Sequence, residues 1–159
     1  IKRGTDGSYN AEVKTEAVDA AGTKTTEKTT QEADTNLLGT QKTHTKRVTT
    51  HDPRGLLNKT TETREVKSAA EKDGDYERKS SVKSVDDYGT ARKATSTTEV
   101  EHKSDGTIKT TLKEKETVDP KGLRNKTTTE VKTTKEQHPD GTVAASREKK
   151  VNGEVVEQQ

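Results

Sequence analysis

The stretch Thr117–Val131, TVDPKGLRNKTTTEV, has a near twin 67 positions upstream, where Thr50–Val66 reads THDPRGLLNKTTETREV. Both stretches contain Asp-Pro-x-Gly and continue into a threonine-rich run. Asp followed by Pro is typical of a four-residue turn, and Thr favours strands over helices. The repeated stretch therefore predicts a turn that leads into a long strand.

The glycines repeat at the same interval. From Gly7 onward their spacings are 15, 17, 16 and 19 positions, and the same four spacings then recur, so that Gly7 is matched by Gly74 and Gly55 by Gly122. This pattern predicts an internal repeat with a period of 67 positions, with copies at about 6–72 and 73–139 and a partial copy at 140–159. We interpret residues 1–159 as one repetitive β-sheet unit.

Each glycine falls in a turn signal. Asp-Gly and Asn-Gly pairs predict two-residue hairpins at 73–74, 105–106, 140–141 and 152–153, because Gly readily adopts positive φ and Asp or Asn tolerates it. Asp-x-x-Gly stretches predict four-residue turns opened by Asp. The predicted turn-forming residues are Asp6, Gly7, Gly22, Gly39, Asp52, Gly55, Asp73, Gly74, Gly89, Asp105, Gly106, Asp119, Gly122, Asp140, Gly141, Asn152 and Gly153.

The segments between the turns alternate with a period of two. In Tyr9–Ala17 every second residue is small or apolar and the intervening residues are polar, which is typical of a strand and not of a helix. We expect an all-β fold of about ten strands of roughly 10 to 13 residues, each about 35 to 45 Å long. Short turns between them predict an antiparallel meander.

The composition excludes an ordinary globular core. Charged residues make up 36% of the chain, Leu, Ile and Val together number 21 of 159 residues, and Phe is absent. Such a composition is usually found in disordered chains, because the apolar area that can be buried does not offset the entropy of ordering. An ordered sheet of this composition is either a single layer with both faces wet, or is stacked on another subunit through a face of Thr, Ala and Val.

Charge and residue types also exclude several functions. The net charge is +2 with both signs interspersed, so we expect no nucleic-acid partner. No apolar stretch suits a membrane span or a signal peptide. The start at Ile1 instead of Met predicts that a preceding segment was either removed or is missing from this sequence. Without Cys, and with four scattered histidines, we expect no metal site and no cofactor. No catalytic constellation can be assembled, so we expect no enzyme.

Two kinds of sequence segment resemble known repetitive proteins. KDGDYERKSSVKS (72–84) and SDGTIKTTLKEKE (104–116) resemble the single-layer central sheet of spirochaete outer surface lipoproteins, whose strands are rich in Lys, Glu and Thr with Asp-Gly turns. The turns DAAG (19–22) and DPKG (119–122) resemble secreted YD-type repeats that lack their aromatic residues. These resemblances imply a structural role outside the cell or on its surface, and assign no residue a function.

Two kinds of site remain as expectations. Asn58 and Asn125 each begin an Asn-Lys-Thr sequence and are candidate glycosylation acceptors in a secretory setting. Val155 and Val156 form the only adjacent valine pair, in a last strand that carries no Pro. We expect this strand to be an edge where one subunit contacts the next.

The leading functional hypothesis is a structural subunit of a self-assembling extracellular or cell-surface β-sheet filament, with copies of the chain as its partner. A surface stalk or adhesin module is the first alternative. A disordered hydration or stress protein is the second, and a Thr-lined ice-binding face is a minor further one.

Overall fold

The computed structural model describes residues 1–4, 8–36, 38–53, 59–86, 88–121 and 125–159. Within these ranges there is no helix, and eleven strands form one antiparallel sheet in which every strand lies beside its sequence neighbours. The predicted all-β meander is confirmed. The strands are β1 (Lys2–Arg3), β2 (Tyr9–Val18), β3 (Lys24–Thr35), β4 (Gln41–Asp52), β5 (Thr60–Ala70), β6 (Tyr76–Val85), β7 (Ala91–His102), β8 (Ile108–Asp119), β9 (Thr127–Gln137), β10 (Val143–Val151) and β11 (Glu154–Gln158).

The sheet is an open single layer. Each described strand contacts only the strands next to it in sequence, so the sheet neither closes on itself nor folds over into a second layer. The strands β2 to β10 are 9 to 12 residues long, as the turn spacing predicts.

The described residues contain no buried hydrophobic side chain. Only Thr107 and Thr111 are buried among them, with 2% and 7% of their surface exposed. Burial of apolar area, which normally dominates folding, therefore contributes little here. The main-chain ladder and the pairs of side chains across neighbouring strands must supply most of the stability.

Candidate functional site

Six turns share one hydrogen-bond frame. In the turn between β7 and β8, the Gly106 N–H donates to the Lys103 carbonyl at 2.9 Å, and the Lys103 N–H donates to the Thr107 carbonyl at 2.9 Å. Gly106 has a φ of 83°. This is a three-residue loop, in which a type I turn is followed by a glycine in the left-handed region. The same frame recurs in the turns that begin at Asp19, Asn36, Glu71, Asp86 and His138.

The prediction of two-residue hairpins is wrong at three of four places. Asp73, Asp105 and Asp140 do not have positive φ, and Asn152 is the one non-glycine residue in the described ranges that does, at 50°. Only Asn152-Gly153 therefore forms the tight two-residue turn that joins β10 to β11. At the other three places the turn begins two residues before the Asp, so the Asp is its third residue.

In each of these turns, a side-chain oxygen accepts a hydrogen bond from the backbone N–H of the residue that follows the glycine. Asp19, the first residue of its turn, accepts a bond from the Thr23 N–H at 2.9 Å, whereas Asp105, the third residue of its turn, accepts one from the Thr107 N–H at 2.8 Å. One frame is thus stabilised by an acidic or amide side chain from either of two positions. The first-position residues are Asp19, Asn36 and Asp86, and the third-position residues are Asp73, Asp105 and Asp140.

These bonds favour the ionised carboxylates. The pKa of Asp19 is lowered mainly by the backbone hydrogen bond from Thr23, and the pKa of Asp105 by the backbone hydrogen bond from Thr107. For Asp140 the largest cause of the lowered pKa is the Thr142 hydroxyl, which donates at 2.7 Å. A carboxylate that accepts such bonds resists protonation.

The remaining predicted residues fall into three groups. Asp52 and Asp119 are the last residues of β4 and β8 and still pair with the neighbouring strand. Asn125 lies exposed just before β9, with its carbonyl accepting a bond from the Thr127 hydroxyl at 3.4 Å. The predictions at Asp6, Gly7, Gly55, Asn58 and Gly122 lie outside the described residues.

The turns on one end of the sheet contact one another. The His102 N–H donates to Asp75 Oδ1 at 2.6 Å, and His138 Nδ1 lies 3.3 Å from the Thr107 hydroxyl. Lys103 Nζ lies 3.0 Å from Glu136 Oε1. Sequence reasoning missed these contacts, because they depend on which turns become neighbours.

The register separates the side chains into two faces. We call the first the threonine face, and one of its cross-strand rows is Thr15, Glu27, Thr49, Glu62, Ser84, Arg92, Val118 and Thr127. The opposite face is the lysine face, and one of its rows is Asn10, Glu32, His44, Lys67, Lys79, Thr97, Lys113, Lys132 and Glu148.

Arginine and lysine occupy different faces. All six arginines in the strands point to the threonine face, and the strand lysines other than Lys135 and Lys149 point to the lysine face. The sequence predicts a face of Thr, Ala and Val, and the structure shows that this face also carries long charged side chains. The arginines of this face are Arg3, Arg47, Arg64, Arg78, Arg92 and Arg147.

Ion pairs on the lysine face run mostly along a strand or diagonally. An exception is Lys115, which lies directly opposite Glu130, with its Nζ 2.6 Å from Glu130 Oε1. The hydrogen bond from Lys115 is the largest cause of the lowered pKa of Glu130. His44 lies between two carboxylates, 2.8 Å from Glu65 and 3.6 Å from Glu32. These groups are partly exposed, so each pair contributes little by itself.

The outer sides of the sheet are only partly paired. β1 covers Tyr9 and Asn10 of β2, and none of the residues that the structure describes pairs with Ala11–Val18 on that side. On the other side, β11 covers Glu148–Val151 of β10, and Gln159 bonds to Arg147. No residue in the described ranges pairs with Val143–Ser146 on this outer side. These two open segments expose main-chain N–H and C=O groups that can pair with another strand.

Val155 and Val156 lie in the edge strand β11, with 51% and 57% of their surface exposed. The register shifts between them and β10, because Lys150 lies opposite Val155 and Lys149 opposite Glu157. Val156 is therefore the extra residue of a β-bulge. Bulges at sheet edges interrupt pairing. The edge formed by β11 is therefore less available for pairing with another strand than the sequence predicts.

Within the described ranges, no group of three or more His, Asp and Glu side chains is placed to hold a metal ion. The same part of the chain contains no helix with the length and apolar character needed to cross a membrane.

No protein-family model, no curated protein and no solved structure matches this chain. The resemblance to single-layer sheets of surface lipoproteins therefore stays a prediction.

Proposed function

We propose that this chain is a structural subunit of a self-assembling extracellular β-sheet filament, in which copies join through the outer edges of the sheet. The observation that carries the proposal is the open edge of β2. Among the described residues, none pairs with Ala11–Val18 on their outer side, and this segment contains no Pro and, among its charged residues, one Lys and two Glu. Natural proteins usually cover or interrupt an edge of this length.

Edge pairing suits the energetics of this sheet. Because no described hydrophobic side chain is buried, the ladder is the main source of stability, and an edge strand has only one neighbour. A second copy would extend the ladder by several hydrogen bonds of about 0.5 to 1.5 kcal/mol net each. The same interaction that holds the sheet together would thus hold the filament together.

Assembly through the faces is less favourable. A dry interface between threonine faces would remove Arg47, Arg64 and Arg78 from water, and charges without buried partners make such burial costly. Arg64 is already paired with Glu62 at 2.6 Å, but both side chains keep more than a third of their surface exposed. We therefore assign assembly to the edges.

A tandem unit that recurs every 67 positions is part of the proposal. It is supported by the strand bounds, since Tyr9–Val18 and Tyr76–Val85 have equal lengths, as do Gln41–Asp52 and Ile108–Asp119. In each of these two pairs the second strand starts 67 positions after the first. Each unit would add four strands, or about 19 Å of sheet width at about 4.8 Å per strand.

A second candidate is a monomeric surface stalk. The bulge at Val156 favours it, because a bulge is a common protection of a sheet edge. In both candidates the chain has no enzymatic role, and the cell-surface or extracellular location depends on the resemblance to surface lipoproteins.

Circular dichroism and sedimentation velocity over a concentration series test the proposal. A filament subunit gives large particles with a strand spectrum, in amounts that rise steeply with concentration. A strand spectrum in monomers at every concentration would instead support the stalk. A coil spectrum at every concentration would contradict both candidates.

A further inference from the structure

One cross-strand row of the lysine face contains lysines and no acidic residue. Every other row of this face includes at least one Asp or Glu among the described residues. We call this exception the basic row, and its members, in order across β2 to β9, are Lys14, Lys28, Val48, Thr63, Lys83, Lys93, Thr117 and Thr128.

Lys83 and Lys93 lie directly opposite each other in the basic row, and neither forms an ion pair with another described residue. In each of the other three opposed lysine pairs of this face, at least one ammonium is paired with a glutamate. Like charges directly opposite destabilise a sheet. The pair of Lys83 and Lys93 therefore costs stability that its neighbours in the described chain do not offset.

The side chains around this pair are mostly hydroxyls. Thr63 and Thr117 flank the two lysines in the basic row, and Ser81 lies opposite Thr95 in the next row of the same face. Both lysines are exposed. The pair is therefore an accessible concentration of positive charge surrounded by hydrogen-bonding groups.

Acidic side chains reach this place only from diagonal positions. By register these are Glu65, opposite Ser81, and Asp119, opposite Ala91. Glu65 already lies 3.1 Å from Lys67 Nζ and 2.8 Å from His44 Nε2. The positive charge of the pair is thus left for an anion from outside the chain.

We infer that Lys83 and Lys93 bind a sulfate group of a linear sulfated polysaccharide that lies along the basic row. A sulfate oxygen accepts charge-assisted hydrogen bonds from an ammonium, and such bonds are roughly twice as strong as neutral ones. Binding would also remove the repulsion between the two lysines. The site lies within one copy of the chain, so the inference does not depend on the filament.

The row favours a polymer over a single small anion. Lys14 and Lys28 lie four strand positions before Lys83 and Lys93 in the same row, which is about 19 Å at about 4.8 Å per strand. A chain along the row contacts both pairs at once, and linked contacts raise the overall affinity. Lys14 and Lys28 contribute less, because each is paired with a glutamate.

The residue types favour a polysaccharide over nucleic acid. Proteins that bind single strands stack bases on aromatic side chains. Tyr9 and Tyr76 point to the threonine face, and Tyr88 lies in a turn. The basic row offers Thr hydroxyls instead, which can hydrogen-bond to sugar hydroxyls.

Titration of fluorescent dextran sulfate with the protein tests the site, with neutral dextran and oligothymidine as further probes. The test variant is Lys83→Gln/Lys93→Gln. The matched control is Lys67→Gln/Lys79→Gln, which also removes two opposed charges, but from lysines already paired with glutamates. Lys79 lies about 14 Å from Lys83 along β6 at about 3.4 Å per residue, beyond the Debye length of about 8 Å at about 0.15 M salt.

We expect dextran sulfate to bind about tenfold more weakly or worse to the test variant, and to bind the control within about threefold of the unsubstituted chain. Neutral dextran should not bind. Without ligand, the test variant should melt at a higher temperature than the unsubstituted chain, which separates lost binding from misfolding.

Four results would overturn the site: no binding of dextran sulfate by the unsubstituted chain, unchanged binding by the test variant, equal weakening in test and control, or a lower melting temperature of the test variant. Binding of oligothymidine as tight as that of dextran sulfate would overturn the assignment to a polysaccharide.

Discussion

Lys67 and Lys79 lie directly opposite each other on β5 and β6, and each ammonium pairs with a glutamate on its own strand. Lys67 lies 3.1 Å from Glu65, and Lys79 lies 2.5 Å from Glu77. Like charges directly opposite destabilise a sheet, and opposite charges stabilise it. The same opposition of lysines occurs at Lys14 and Lys28, Lys83 and Lys93, and Lys113 and Lys132.

This arrangement predicts a weak response to salt. Salt screens the attraction within each Lys–Glu pair and the repulsion across each Lys–Lys pair, so the two effects oppose each other. Between about 0.05 and 1 M NaCl we expect the melting temperature to change by only a few degrees, and fibres to persist. Thermal melts by circular dichroism and turbidity measure both. Dissolution of fibres at moderate salt would contradict the prediction.

Stability should be flat near neutral pH and fall on both sides. The lowered pKa of Glu16, Asp105, Glu130 and Asp140 means that their contribution is complete above the unfolded values of about 4 and is lost as pH falls through the folded values. The pKa of Lys14, Lys103 and Lys150 is raised, so their contribution is lost only as pH rises above about 10.4. Melts at pH 3, 5, 7, 9 and 11 check this expectation. A maximum below about pH 4 would contradict it.

The turn carboxylates should matter more than their exposure suggests. Asp105→Ala removes the acceptor for the N–H of Thr107, the most buried of the described residues, so we expect a lower melting temperature. Ser104→Ala, at an exposed position in the same turn, is the matched control and should have little effect. Thermal melts of both variants test this expectation. Equal melting temperatures would mean that this bond does not stabilise the turn.

Two glycines with nearly the same φ allow the cost of the left-handed backbone to be distinguished from the cost of steric crowding around an added Cβ. Gly106 and Gly141 have φ of 83° and 84°, but a Cβ at Gly106 would lie 3.0 Å from Pro139 Cγ and one at Gly141 would contact nothing within 4 Å. Gly141→Ala should cost about 1 to 2 kcal/mol for the left-handed conformation alone. Gly106→Ala should cost more. Urea unfolding of both variants measures the difference, and a smaller cost at Gly106 would contradict it.

Proline should distinguish the outer side of β10 from its inner side. Arg147 bonds outward to Gln159, and these directions alternate along a strand, so the N–H of Ala145 also points outward. Ala145→Pro should therefore keep the strand spectrum and prevent another strand from pairing on this side. The N–H of Ala144 points toward β9, and Ala144→Pro should destabilise the sheet itself. Circular dichroism and electron microscopy of the two proteins test this. Long fibres from Ala145→Pro would show that assembly does not use this edge.

The fold could be predicted because its signals are local. The glycine spacing and the Asp-Gly pairs fix where the chain turns, and a period of two between turns fixes strands. The turn type at Asp105 was missed, because Asp-Gly fits both a two-residue hairpin and the last two places of a three-residue loop. In the loop, the Asp receives the Thr107 N–H without adopting positive φ itself.

The candidate site was less predictable, because it depends on the register between strands. The bulge at Val156 appears only when β11 is paired with β10. The placement of Arg47 and Arg64 on the threonine face depends likewise on which strands pair.

The lack of buried hydrophobic side chains in the described chain has a calorimetric consequence. Unfolding an ordinary domain raises the heat capacity because apolar groups become hydrated, whereas exposure of polar groups lowers it. Here the two contributions should nearly cancel. The enthalpy of unfolding would then hardly vary with temperature, and the curve of stability against temperature would lose most of its curvature. Cooling would therefore stabilise the sheet steadily, even at the low temperatures at which further cooling destabilises most globular proteins.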